Sequence, residues 1–115
     1  MRITDAGREA LAFWVADATR SPCELRDEML LKLFFSDAVG REDRRTLAEA
    51  METRHRAEAA ELGAVAEKVR QRHVREESSD LPMHKEVLRY GVEFHTWLAD
   101  WYAGLRSRLN EEEAR

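Results

Sequence analysis

A single cysteine, Cys23, stands among 115 residues, so no disulfide can close within the chain, and the thiol fits a reducing cytoplasm. Two prolines and five glycines leave little to interrupt regular structure and exclude a loop-rich or collagen-like chain. No apolar run approaches the roughly 20 residues that cross a bilayer, and no signal-like apolar stretch opens the sequence, so a cytoplasmic protein without membrane contact is expected. An excess of basic charge is lacking too. The net charge is -4, and between Arg41 and Glu77 nine Lys/Arg face nine Asp/Glu, which leaves no basic stripe for a phosphate backbone. Also missing are a nucleophile elbow, a glycine-rich phosphate loop and a CxxC pair, so neither an enzyme nor a cofactor is expected.

What is present is helical. Charged residues make up 37% and hydrophobic ones 43% of the chain, with long Ala/Glu/Arg/Leu stretches, the profile of one helical domain. Thr4 is a good N-cap for a first amphipathic helix over residues 5–18, whose Ala10, Leu11, Trp14, Val15 and Ala18 share a face. Ile3, just before the cap, is placed to staple onto the first turn. Ser21 and Glu24 form a capping box with Pro22 at the first helical position, which predicts a second helix running to Phe35 and closed by Gly40. Leu25, Met29, Leu30, Leu31, Leu33, Phe34 and Phe35 wrap around that helix, and an all-round apolar surface predicts burial at the centre of the domain.

From Glu42 to about Glu77 there is no proline and one glycine, Gly63, so one long helix is expected, with Gly63 marking a bend or a close crossing. Its apolar positions, Leu47, Ala48, Met51, Leu62, Val65, Ala66 and Val69, form a thin seam interrupted at His55 and Glu58. The Ser78–Pro82 cluster is the clearest turn, and residues 82–109 form a last helix with a wide apolar face. The charged tail 111–115 is expected to fray.

Few of these residues point to chemistry. Glu52-x-x-His55 has the spacing of a metal-ligand pair on a helix, but a di-iron site needs a second such pair and further carboxylates, so it reads as a polar interruption of the seam and no metal site is assigned. His73 with Glu76 and Glu77 fits a solvated helix end, where a zinc site would need more ligands, and His84 and His95 are far in sequence from any serine or cysteine to pair with. Cys23 near a helix start reads as a small packed hydrophobe. The aromatics are more suggestive: Trp14, Phe34, Tyr90, Trp97 and Trp101 are candidates to line an apolar ligand cleft, with indole N–H and phenol O–H as polar handles.

Three stretches carry a resemblance. Ile3-Thr-Asp-Ala-Gly-Arg-Glu-Ala-Leu11 with Trp14, Leu25-Arg-Asp-Glu-Met-Leu-Leu-Lys-Leu-Phe-Phe35, and Leu88-Arg-Tyr-Gly91 with Trp97-Leu98 resemble the C-terminal effector and dimerisation domain of PadR-like transcriptional regulators, of the virulence activator alpha C-terminal type. The resemblance implies a preceding winged helix, dimerisation through the long C-terminal helices and, in some members, sensing of small aromatic or phenolic molecules. Here only Arg2-Ile3, similar to the end of a wing strand, precedes Thr4-Asp5-Ala6-Gly7, so a chain without the winged-helix half and without direct DNA contact is expected.

The resulting expectation is an all-α domain over residues 1–110, with two short N-terminal helices packed on a long antiparallel helical hairpin. A homodimer follows, because so much apolar seam seldom stays uncovered. Leu62, Val65, Val69, Leu98, Tyr102 and Leu105 are the candidate hairpin-seam or dimer-interface residues. A small aromatic effector is the expected ligand, and a stand-alone binder of such molecules is the alternative reading.

Overall fold

The computed structural model describes residues 2–19, 23–73 and 82–113. Among these the chain is entirely helical: α1 spans Asp5–Ala16, α2 Glu28–Phe34, α3 Arg41–His73 and α4 Met83–Glu113, with a 3-10 turn at Ser36–Ala38 between α2 and α3. The chain divides into two compact units, Met1–Leu31 and Lys32–Arg115.

In the first unit, the Thr4 hydroxyl accepts the Gly7 backbone N–H at 3.0 Å and so caps α1, with Asp5 in the positive first turn. Ile3 does lie over that turn. A Cβ built onto Gly7 would sit 3.0 Å from the Ile3 side chain, so the staple depends on glycine leaving the space. The helix stops at Ala16, two residues short of the expected end, where Asp17 turns extended and its carboxylate accepts the Thr19 N–H.

The expected central buried helix is not found. Helix α2 has seven residues and none is buried; Leu25, Leu30, Leu31, Phe34 and Phe35 are all exposed. The start moves because a nearer cap wins. The Asp27 carboxylate accepts the Leu30 N–H at 3.1 Å and its carbonyl accepts the Leu31 N–H, while Ser21 and Pro22 lie outside the described residues. Its end is set by Ser36, whose hydroxyl donates to the Leu33 carbonyl as the chain tightens into the 3-10 turn. Gly40 does not close the helix in a left-handed conformation, since no described glycine has positive φ. It opens α3 instead, its carbonyl accepting the Arg44 N–H.

The second unit is a long antiparallel hairpin of α3 (33 residues) and α4 (31 residues), each on the order of 50 Å. Polar pairs across it fix the register: Arg106 to Glu52 at 3.0 Å and Arg56 to Asp100 at 3.0 Å. Such part-exposed ion pairs add little stability, about 0 to 1 kcal/mol each, yet they disfavour any sliding of one helix along the other. The buried apolar residues Ala48, Met51, Ala99, Tyr102 and Leu109 all lie on this seam. Two alanines with no exposed surface let the backbones approach, and Tyr102 fills the space beside them. The close crossing at a glycine occurs at Gly91, where an added Cβ would meet Leu62 at 3.0 Å; at Gly63 nothing stands within 4 Å. Residues 78–81 of the expected turn lie outside the described residues, and α4 continues helical to Glu113, through the start of the tail expected to fray.

Two substitutions check this packing. Gly63→Ala removes the entropic cost of glycine at an uncrowded helical site and is expected to stabilise the chain by about 0.5 to 1 kcal/mol in urea unfolding. Ala99→Leu forces a large side chain into the seam and is expected to destabilise by about 1 to 3 kcal/mol. Equal effects of the two would contradict the packing described.

Candidate functional site

Helix α4 carries two apolar seams. Leu88, Val92, His95, Ala99, Tyr102 and Leu109 face α3 and are buried or half-buried. Met83, Val87, Tyr90, Phe94, Trp97 and Trp101 recur at alternating steps of four and three, a second heptad-like stripe on nearly the opposite side of the helix. This second stripe is left open. Val87 is 70% exposed, Tyr90 69% and Trp97 63%. Tyr90 and Phe94 stack at 6.1 Å along it, and Arg89, paired with Glu93 at 2.9 Å and with Glu86, makes a charged rim beside Tyr90.

Of the five candidate ligand-lining aromatics, the four in the second unit stand at different places on it. Tyr90 and Trp97 share the open stripe, and Phe34 is 79% exposed. Trp14 belongs to the N-terminal unit and is exposed there. Trp101 borders a cleft of about 210 Å³ formed with Leu33, Ser36, Arg44, Leu105, Leu109 and Glu112, and Tyr90 borders a separate, more open hollow with Glu86, Arg89 and Glu93. The short α2 turns Leu33, the neighbour of the candidate Phe34, to the cleft beside Trp101. Arg44 is held at the rim by its Nε–H to the Ser36 carbonyl at 3.0 Å and its ion pair with Asp37 at 3.2 Å. The walls of the cleft are Leu33, Trp101, Leu105 and Leu109, with the Arg44 guanidinium and the Glu112 carboxylate as its charged groups.

Of the six candidate interface residues, Tyr102 is 1% exposed inside the hairpin and Leu62 packs toward Gly91. Val69, Leu98 and Leu105 are half-buried, and Val65 is exposed. Much of this set is therefore engaged by the chain's own two helices.

A third feature is a polar cluster midway along the hairpin. Residues His55 and Glu58, one turn apart on α3, meet His95 of α4: the two Nδ1 atoms lie 2.9 Å apart, and Glu58 Oε2 lies 3.4 Å from His55 Nδ1 and 2.8 Å from His95 Nδ1. Tyr102 stacks on the His55 ring at 5.9 Å. Glu52, the sequence partner proposed for His55, turns instead to Arg106 and Arg56. The i, i+3 pair His55/Glu58 was readable as one face, but only the antiparallel register brings His95 to it.

Burial holds the His55 pKa below its ordinary value of 6.5; the neighbouring Glu58 opposes that shift, and His95 and Arg54 add to it.

Fold and surfaces define a helical-hairpin domain with an uncovered aromatic seam. Residues 25–110 match the family model of the virulence activator alpha C-terminus. That is most of the chain, and the protein belongs to the virulence activator alpha C-terminal family. No curated protein and no solved structure matches it. No helix among the described residues is long and apolar enough to cross a membrane.

The depressed His55 pKa gives a signed expectation. In the window between its folded value and 6.5 the unfolded chain binds more protons, so the related stability is fully present above that window and is lost as pH falls through it. In chelator-treated buffer the His55 ring resonances should titrate with a midpoint under 6.5, and a midpoint above it would contradict the burial described.

Proposed function

We propose that this chain is the dimerisation and effector-sensing part of a PadR-like transcriptional regulator, with DNA read by a winged helix outside these 115 residues. Family membership supports a regulatory role, and the observation that carries the dimer is the open stripe of α4. Burying Val87, Tyr90, Phe94 and Trp97 is worth about 1.5 to 3 kcal/mol for each side chain, and a second copy offers the same stripe in a two-fold arrangement. The apolar centre flanked by the Arg89, Glu86 and Glu93 charges has the layout of an interface core and rim. This reading moves the subunit contact from the seam residues to the stripe.

The effector in this reading is a small aromatic or phenolic acid, its ring against Trp101 and Leu105 and its acidic group at Arg44. The cleft lies beside the start of α3 and the end of α4, so its occupation bears on both arms of the hairpin. The domain is non-catalytic and acts by coupling ligand to subunit geometry. The alternative, a stand-alone binder of the same molecules, shares the cleft and differs in requiring no DNA-reading partner.

Sedimentation at tens of micromolar should return twice the 13.4 kDa chain mass, and Trp97→Glu should return the monomer mass with helical content retained. A wild-type monomer would overturn the dimer. Titration with single-ring phenolic acids should give a saturable change in tryptophan fluorescence that Trp101→Ala abolishes; no saturable change with any of them would remove the effector reading.

A further inference from the structure

We propose that His55, Glu58 and His95 form a binding site for a divalent first-row transition-metal ion of the zinc type, joining α3 to α4 in the middle of the hairpin. The case begins with convergence. His55 Nδ1, His95 Nδ1 and Glu58 Oε2 lie 2.9, 3.4 and 2.8 Å from one another. Each of these atoms carries a lone pair when the histidines are neutral on that nitrogen and the carboxylate is ionised. One proton on His95 Nδ1 satisfies one contact fully and leaves His55 Nδ1 and Glu58 Oε2 as acceptor facing acceptor. A cation satisfies all three together.

Distances decide between a loose polar cluster and a coordination site. Donors bound to one zinc ion at about 2.0 to 2.2 Å are separated by roughly 2.9 Å in octahedral and 3.4 Å in tetrahedral coordination. The three separations observed span that range. A circle through the three atoms has a radius of about 1.8 Å, shorter than a metal–ligand bond, so a point at bonding distance from all three lies just off their plane. The ring centroids are 5.2 Å apart and the two Nδ1 atoms face each other, so a modest swing of each imidazole brings both lone pairs onto that point.

Donor chemistry narrows the ion. Two imidazoles and one carboxylate suit zinc, cobalt, nickel or iron(II) over calcium or magnesium, which prefer oxygen-only shells. The setting is also right for a rigid site: the side chains of His55 and His95 are 12% and 22% exposed, and Tyr102 packs against the His55 ring. Three protein donors leave at least one coordination position open to solvent or to an added ligand, as in sites that exchange or sense a metal. Because the donors come from both arms, a bound ion closes a link that the thin apolar seam around it does not supply. This inference stands independently of the dimer and of the aromatic effector.

The test uses the full chain, freed of metal with a chelator and titrated with zinc and with cobalt(II). Calorimetry should show one ion per chain. Cobalt(II) should produce visible absorption bands of a nitrogen- and oxygen-ligated ion, and zinc should shift the ring resonances of His55 and His95 ahead of those of His73 and His84. The midpoint of thermal unfolding should rise with the logarithm of free zinc. His95→Ala and Glu58→Gln should each weaken zinc at least about tenfold, whereas His84→Ala should leave it unchanged. Absence of saturable zinc binding to the wild-type chain, or ring shifts confined to other histidines, would overturn the proposal even if a variant failed to fold.

Discussion

The structure depends on one helix that is apolar on two sides. Helix α4 buries Ala99, Tyr102 and Leu109 against α3 and holds Val87, Tyr90 and Trp97 out on the other side. A helix patterned in this way presents a second apolar face that its one long partner does not cover. Within the second unit, α3 is the one long neighbour. The narrow seam between them, built from alanines, a methionine and Tyr102, is enough to hold the register that Glu52–Arg106 and Arg56–Asp100 specify.

The same register explains the polar centre. A hairpin of two helices crosses at many points, and at most of them small apolar residues meet. At His55 and His95 the sequence places imidazoles where the packing pattern calls for apolar side chains, at a cost in desolvation that lowers the His55 pKa. Glu58 partly offsets that cost by standing within reach of both rings.

Much of the architecture was legible in the sequence. The Thr4 cap, the uninterrupted run from residue 42 and the wide face of the last helix all rest on local chemistry, and α1, α3 and α4 follow from it, although α1 ends two residues early. The misreadings have a common cause. An all-round apolar pattern in Leu30, Leu31, Leu33, Phe34 and Phe35 says that a segment needs cover but not where the cover comes from, and within this chain most of those side chains remain exposed. The start of α2 is set by Asp27, which hydrogen-bonds the backbone three residues on. The polar cluster was hidden for a different reason. His55 and His95 are 40 positions apart, and their meeting depends on the register of the hairpin, which no local pattern encodes.

The proposed dimer requires that the stripe of α4 be covered by a second copy. A single-tryptophan variant, Trp14→Phe with Trp101→Phe, reports on Trp97 alone, and acrylamide quenching of its fluorescence measures how much solvent reaches that ring. The account predicts strong protection at high protein concentration that is lost on dilution, as two chains separate. Quenching that is equally strong at every concentration would contradict it.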